Sequence, residues 1–453
     1  MNEQLRQLSI RSIGILAMLG LLVALPGAAL RASSLVREDQ AQRFGLQRAW
    51  FTQVDVNPGR NTVERAVLTG DELAVLTSAG VLHVVDAHTG ATRWVERIGN
   101  PGYASLGPAA SETHLAIING STLLVFDRKT RREVLRQSVG GAPSASPALG
   151  EDYVFVPLFN GRVEGYSIAA EKAVTWYYQS AGRLFMRPVT TQNRVVWATD
   201  TGFLYGADSK GGGIRYRFES LAPIAAPPAA KPPYIYAVAE DGYVFALNDD
   251  TGRLRWRYAT GWPARYSPVV IGDDLYVATD EPALHCLSTE DGSPRWTAIG
   301  VSQFVAASPN RVYGMDRYGA LLILDGRSGV VLGQANGREG TTAVVNQETD
   351  RLYLVSDTGL VQCLHEIGQQ QPFLHAPPEA EEPPAEQAPP TEETPATDAP
   401  PMEAPPAVEP EPAPDGGDPF AEGAEEPAAP VTPPADTPET DPFAEDADEE
   451  IPF

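Results

Sequence analysis

A segment of about forty residues recurs along most of this chain, and it constrains the fold more than any other feature. Its clearest copies are GVLHVVDAHTGATRW at 80–94 and GYVFALNDDTGRLRW at 242–256. Each contains a glycine, a short apolar run, an Asp or Asn, a Thr-Gly pair and a tryptophan eight residues after the Asp or Asn. Looser copies bring the total to eight, with starts 37 to 41 residues apart at residues 80, 121, 161, 202, 242, 282, 319 and 359. Repeats of this length are typical of propeller and solenoid folds.

Two further strand-like runs precede each copy, as in SPVVIGDDLYVAT at 267–279. Four short strands per repeat make one blade of a β-propeller, and the Gly and Asp/Asn-Thr-Gly residues suit its hairpin turns. The last copy lacks its tryptophan strand, which LQRAWFTQVD at 46–55 supplies from the other end of the chain, with Trp50 in the expected place. The sequence therefore predicts an all-β, eight-bladed propeller of four-stranded blades over residues 40–367, closed by an N-terminal strand.

The pattern Asp/Asn-x-x-Thr-Gly-x-x-x-Trp resembles the tryptophan-docking motif of the PQQ-like β-propeller family. That family includes quinoprotein dehydrogenases and non-enzymatic members, notably the outer-membrane assembly factor BamB. Five of the seven tryptophans fall at this one repeat position, where ring burial against the next blade is worth on the order of a few kcal/mol each. The residues assigned to this blade-docking role are Trp50, Trp94, Trp176, Trp256, Trp296, Gly90, Gly252 and Gly292.

Asp-Thr-Gly, the tripeptide that carries the catalytic carboxylate of aspartic peptidases, occurs at 200–202, 250–252 and 357–359. Such an enzyme needs two facing carboxylates that share one proton. The three copies fall in two different turns of the repeat, and Phe203 and Leu360 follow two of them where the peptidase signature has Ser or Thr. Turn chemistry accounts for all three copies, so we assign no catalytic residue.

The resemblance also implies a second function, that of a PQQ-dependent dehydrogenase. Those relatives hold the cofactor between a tryptophan and a disulfide of adjacent cysteines, with a bound Ca²⁺. Here Cys286 and Cys363 belong to blades six and eight. A disulfide needs Cα atoms within about 7 Å, which blades that are not adjacent should not provide. His83 and His285 fall at one strand position of blades one and six and do not suggest a metal site. We expect no cofactor, no metal and no enzymatic activity.

The N-terminus has the order of a secretory signal. Arg6 and Arg11 precede the apolar run IGILAMLGLLVAL at 13–25, and small residues follow it. We assign a signal peptide to residues 1–32. The same segment is about long enough to remain as an uncleaved anchor, which is the only membrane contact that we expect. The protein is predicted to be exported to the periplasm or cell envelope.

A basic run, RKTRREVLR at 128–136, falls in the outer turn and last strand of blade two. It is either a charged edge that resists unwanted strand pairing or a docking point for acidic partners. Nucleic acid is not an expected partner, because the acidic C-terminal segment would compete for any basic site. The candidate partner-binding residues in this run are Arg128, Lys129, Arg131, Arg132 and Arg136.

Residues 368–453 make up an acidic, proline-rich segment. From residue 376 onward it holds 23 Asp and Glu, 22 Pro and no Lys or Arg, so it cannot bury enough apolar surface to fold and is predicted to be disordered. Asp-Pro-Phe-Ala-Glu occurs twice, around Phe420 and Phe443, and the chain ends at Phe453. These phenylalanines are either short linear binding motifs or parts of a spacer.

We expect an exported, non-enzymatic and monomeric scaffold for protein–protein interaction in the cell envelope. A BamB-like role in outer-membrane protein assembly is the specific hypothesis. A PQQ-dependent quinoprotein dehydrogenase and a cell-wall glycan-binding propeller remain as alternatives, because one fold supports many functions.

Overall fold

Eight four-stranded sheets make up the folded part of the protein. The computed structural model describes residues 35–375, except 58, 170–173, 211–212 and 338–339. The predicted eight-bladed, all-β propeller is therefore confirmed. A single short helix, α1 (Glu38–Arg43), occurs in these ranges, and no helix there is long and apolar enough to cross a membrane. The predicted signal segment 1–32 and the residues from 376 onward, with Phe420, Phe443 and Phe453, lie outside the described residues.

The first half of the chain forms β1 and blades one to four. The strands are β1 (Leu46–Gln53); in blade one β2 (Val63–Thr69), β3 (Glu72–Thr77), β4 (Val81–Asp86) and β5 (Thr92–Arg97); in blade two β6 (Ser105–Ala110), β7 (His114–Asn119), β8 (Thr122–Asp127) and β9 (Glu133–Ser138); in blade three β10 (Ala148–Leu149), β11 (Tyr153–Pro157), β12 (Arg162–Ser167) and β13 (Val174–Gln179); and in blade four β14 (Val189–Thr190), β15 (Arg194–Ala198), β16 (Phe203–Asp208) and β17 (Ile214–Glu219).

Blades five to eight follow the same order. The strands are in blade five β18 (Ala229–Lys231), β19 (Tyr234–Val238), β20 (Tyr243–Asn248) and β21 (Leu254–Ala259); in blade six β22 (Val269–Ile271), β23 (Asp274–Ala278), β24 (Ala283–Ser288) and β25 (Pro294–Ile299); in blade seven β26 (Gln303–Ala307), β27 (Arg311–Met315), β28 (Leu321–Asp325) and β29 (Val331–Ala335); and in blade eight β30 (Thr341–Val344), β31 (Leu352–Ser356) and β32 (Leu360–Glu366).

The N-terminal strand β1 closes the ring. The strand order of the eighth blade is β1-β32-β31-β30, so the first strand of the chain is the outer strand of the last blade. Antiparallel pairing puts Trp50 opposite Cys363 and Thr52 opposite Val361. The predicted closure is confirmed, and it removes the exposed edge that an open ring would leave.

The connections between strands alternate between two faces of the ring, because successive antiparallel strands run in opposite directions. Links between blades share one face with the turns between second and third strands, and we call this the linker face. The turns that follow the first and third strands lie on the other face, which we call the hairpin face. Asp200 and Asp357 are on the linker face and Asp250 is on the hairpin face. These three aspartates therefore lie in the turns of three different blades, as the turn interpretation requires.

Buried side chains cluster between neighbouring blades. Every residue of β3 and β31 is buried, whereas the outer strand β21 buries Trp256 alone. Tyr276 of blade six stacks on Phe304 of blade seven, with ring centroids 4.8 Å apart. Since apolar burial stabilises by about 25 cal/mol per Å², these contacts hold each blade to the next.

Both ends of the described chain are packed against blade eight. Leu35 and Val36 are buried, and Val36 exchanges two hydrogen bonds of 3.0 Å with the Gln362 side chain. At the other end Leu374 forms a β-bridge with Thr349. Packing thus extends beyond the range 40–367 on both sides.

Candidate functional site

Three of the repeat tryptophans contact the following blade in the same way. Each is 8% exposed and donates its indole N–H to a backbone carbonyl oxygen 3.0 Å away. The pairs are Trp50 with Ala87, Trp256 with Thr289 and Trp296 with Gly326. These rings lie on the outer part of the blades and take part in packing.

A glycine at positive φ lets the neighbouring turn approach each ring. A Cβ on Gly90 would lie 2.5 Å from Trp50, and one on Gly292 would lie 2.5 Å from Trp256. Gly252 makes the same approach to Tyr216, a tyrosine at the repeat position of blade four. Gly329, which faces Trp296, was not among the predicted residues because its turn reads Asp-Gly-Arg-Ser-Gly instead of Asp-x-x-Thr-Gly.

The other two predicted tryptophans have different surroundings. Trp94 packs against Phe126 of blade two, with centroids 5.9 Å apart, but its buried indole nitrogen has no hydrogen-bond partner among the described residues. Trp176 meets Trp197 of blade four edge to face, with centroids 6.1 Å apart.

The basic run of blade two divides into one engaged and four exposed side chains. Arg128 pairs with the buried Glu72 of blade one at 2.7 Å and also donates to the backbone carbonyl oxygens of Ser111 and Thr69. It therefore ties blade two to blade one. The exposed members are Lys129, Arg131, Arg132 and Arg136, of which Arg136 pairs with Glu133 and Arg131 donates to a backbone carbonyl of blade one.

The residues that a quinoprotein site would use do not come together. Cys286 and Cys363 are both free and buried, in blades six and eight. Burial raises the pKa of the Cys286 thiol well above its usual value and that of Cys363 to about 12. His83 and His285 are buried strand residues whose pKa values burial lowers. No group of three metal-binding side chains occurs in the described ranges, so these residues do not fit the cofactor pocket of the dehydrogenases.

The linker face carries a set of exposed apolar side chains that the sequence had not indicated. Their exposed fractions run from 46% to 90%, and they come from the links and turns of blades one to seven. We call them the linker-face apolar residues: Tyr103, Phe159, Phe185, Leu221, Trp262, Tyr266 and Tyr318. Because these exposed apolar side chains share one face, that face is a candidate interaction surface.

A pocket of about 310 Å³ opens on the linker face between blades six and seven. Tyr266 lines it, and Arg265 and Asp280 form an ion pair of 2.6 Å in its wall. Ser302 and Thr341 also line it, and their hydroxyl oxygens are buried without a hydrogen-bond partner in the part of the chain that the structure describes. Buried polar atoms are normally paired, so these two hydroxyl groups are exceptions in the wall of a pocket that an exposed aromatic residue, Tyr266, also lines.

Comparisons with known proteins agree with this architecture. The profile of the family described as "Outer membrane protein assembly factor BamB" matches residues 43–173, 176–267 and 259–366. Among solved structures, BamB from Moraxella catarrhalis is 17% identical, with a TM-score of 0.56 over 70% of this chain and 100% of that one. The computationally designed Ika8 protein is 14% identical, with a TM-score of 0.56 over 69% of this chain and 98% of that one. No curated protein sequence matches the chain. Since the family profile covers all eight blades, the chain belongs to the PQQ-like propeller family described by the outer membrane protein assembly factor BamB.

Proposed function

We propose that this protein is a non-enzymatic scaffold of the cell envelope, with a BamB-like role in outer-membrane protein assembly, and that its protein partner binds to the linker face. Membership of the BamB family supports a scaffold that binds protein. The free, separated cysteines argue against the quinoprotein alternative. The signal-like segment 1–32 supports export. In this proposal the acidic segment 368–453 tethers a further partner, which binds Phe420, Phe443 and Phe453.

The conformation of Leu221 is the observation that carries this proposal. Leu221 has φ +66° and is 90% exposed. The same repeat position of the next blade holds Gly261, with φ +84°. A leucine in this left-handed conformation costs roughly 1–2 kcal/mol, and its exposed side chain returns no burial energy to the fold. Strain kept at an exposed apolar residue indicates that the side chain serves binding.

Exposed aromatic side chains of the linker face supply the anchors. Trp262 is 55% exposed and Tyr318 is 81% exposed, and Tyr318 lies between two residues that line the pocket. Tryptophan and tyrosine are the residue types that most often dominate binding energy at protein interfaces. The partner is thus expected to present an apolar polypeptide segment.

Site-specific crosslinking in the envelope tests this proposal. A photoreactive residue in place of Tyr318 is expected to capture a discrete partner protein. The same residue in place of Tyr177, which is 60% exposed on the outer strand of blade three, serves as the matched control and should capture none. Equal capture at both positions would contradict a linker-face site. Retention of the full chain on cell-wall polysaccharide, lost in Trp262→Ser, would instead support the glycan-binding alternative.

A further inference from the structure

The central channel of the ring has an unusual pair of charges at its mouth. The first strand of each blade starts at the linker face and lines the channel. The repeat aligns the residues at this start, and most of them are small or uncharged, as in Ser146, Pro227 and Ser267. In blades one and four the same position holds Arg65 and Arg187.

A contact of Arg65 and the strand register of Arg187 place both arginines at the channel mouth. Arg65 Nη1 lies 3.4 Å from the hydroxyl oxygen of Ser146, in the link that leads into blade three, so its side chain passes across the start of blade two. Arg187 belongs to blade four, and two blades separate it from Arg65 along the ring. Arg187 is exposed to solvent, and the surrounding protein and then the positive charge of Arg65 lower its pKa. Thr190 Oγ1 donates to the Leu149 carbonyl oxygen at 2.6 Å, so the first strands of blades three and four adjoin and Arg187 is the neighbour of Ser146 around the ring.

Neither guanidinium is neutralised within the described part of the chain. Neither residue has an ion pair there, and the Ser146 contact is the one hydrogen bond that either side chain makes. Glu64 is the nearest acidic residue along the chain. It is the extra residue of a β-bulge between Val63 and Arg65, and burial raises its pKa in spite of the charge of Arg65. Two like charges thus face one space, and neither makes an ion pair with an acidic side chain of the described residues.

We propose that the channel mouth binds a multivalent oxyanion of the phosphate class between Arg65 and Arg187. A guanidinium presents a planar fork of donors that matches phosphate oxygens, and charge-assisted bonds of this kind are roughly twice as strong as neutral ones. One dianion neutralises both arginines, whereas a chloride ion neutralises one charge and has no second oxygen to bridge them. The Ser146 hydroxyl would supply a further donor. Free phosphate and the phosphate of a glycerophospholipid head group share this chemistry.

Calorimetric titration of the purified protein at constant ionic strength tests the site. Inorganic phosphate and glycerol 3-phosphate are the two probes of the class, and vesicles of phosphatidylglycerol, compared with phosphatidylcholine, show whether a membrane-bound head group can reach the site. Inorganic phosphate is expected to bind at one site per chain, and Arg65→Gln and Arg187→Gln are each expected to weaken it at least tenfold. Arg255→Gln, on the exposed outer strand of blade five, should bind as the wild type does.

A second readout keeps the test independent of binding heat. Phosphate is expected to raise the melting temperature of the wild type and to leave that of Arg187→Gln unchanged, because ligand that binds only the folded state stabilises it. Without phosphate, Arg187→Gln should melt at or above the wild-type temperature, because one of two repelling charges is removed. The proposal is overturned if phosphate binding survives both substitutions, or if chloride or succinate binds as tightly as phosphate.

Discussion

Arg131, with φ +60°, occupies the turn position that faces Trp94. In the preceding blade the same position is Gly90, which faces Trp50. Gly90 permits the close approach to Trp50, whose indole nitrogen finds the Ala87 carbonyl. At Arg131 the indole nitrogen of Trp94 has no partner among the described residues. The interface between blades one and two therefore lacks the indole hydrogen bond of the repeat and has instead the Arg128–Glu72 ion pair at 2.7 Å.

Replacing Arg131 by glycine should stabilise the protein. Relief of the left-handed backbone is worth about 1–2 kcal/mol, and the greater freedom of the unfolded chain takes back about 0.5–1 kcal/mol. We expect the free energy of unfolding in urea to rise by about 0.5–1 kcal/mol for Arg131→Gly. Lys129→Gly, two residues earlier in the same exposed turn, should not raise it. A fall in stability for Arg131→Gly would show that the arginine makes contacts that outweigh its strain.

Gly90→Ala should be strongly destabilising. The new Cβ would meet the Trp50 ring at 2.5 Å in a backbone of φ +74°, and overpacking of this kind costs typically about 1–3 kcal/mol beyond the backbone strain. Gly272→Ala is the matched control, since Gly272 has φ +56° with no atom within 4 Å of its added Cβ. The difference between the two variants in urea unfolding measures the ring contact. Equal losses would mean that Gly90 serves the backbone alone.

Removal of the Arg128 side chain should cost more than removal of any other arginine in the basic run. Arg128→Met leaves Glu72, which is 7% exposed, with Arg93 as its remaining cationic partner. Breaking a buried pair costs about 3–5 kcal/mol, and the Arg93 contact should keep the loss near 2–3 kcal/mol. Arg136→Met removes an exposed pair, for which we expect less than about 1 kcal/mol. Thermal denaturation of both variants compares them, and similar melting temperatures would contradict the clamp between blades.

Stability should fall in acid partly through Asp86. Burial opposes ionisation of this carboxyl group, but hydrogen bonds from Arg93 and Thr89 outweigh it and lower its pKa to about 2. A carboxyl group whose pKa is lowered by folding stabilises the protein above its unfolded pKa of about 3.9, and the stabilisation is lost as the pH falls through about 2. The full shift corresponds to about 2.6 kcal/mol, and solvent screening of this partly exposed carboxyl group reduces the contribution to about 1–2 kcal/mol.

Asp86→Asn tests this assignment. The variant should be less stable than the wild type at pH 7, and the difference should shrink between pH 4 and about 2, the range over which the Asp86 carboxyl group becomes protonated. Urea unfolding at several pH values measures it. A difference that does not change with pH would assign the loss to packing or to neutral hydrogen bonds.

The blades and the ring closure were predictable because their signals repeat. Turn glycines and the outer tryptophans recur every forty residues, and Trp50 at one end of the chain completes a pattern that is unfinished at the other. A closed ring of antiparallel blades requires strands that run alternately towards its two faces, and this alternation determines which turns lie on each face. Hydrophobic periodicity and turn chemistry were sufficient for this level of structure.

The linker-face apolar residues and the channel arginines were not predictable in the same way. Exposed loop residues do not follow the hydrophobic periodicity of strands, so the sequence does not indicate that Tyr318 and Trp262 share one surface. Arg65 and Arg187 are 122 positions apart, and only closure of the ring brings them to one channel. A signal was present at Leu221, which occupies the place of Gly261 in the repeat, but its meaning depended on the positive φ that the structure shows.

Leu221→Gly provides the most direct test of the linker face as a protein-binding surface. The substitution removes the exposed side chain and relaxes the φ of +66°, so the free energy of unfolding should stay equal or rise. Quantitative affinity purification from envelope fractions, with the Tyr318 crosslinking partner as the measured protein, is expected to show at least a tenfold lower recovery with Leu221→Gly than with the wild type. Undiminished recovery of that partner by the stable variant would contradict the proposed binding surface.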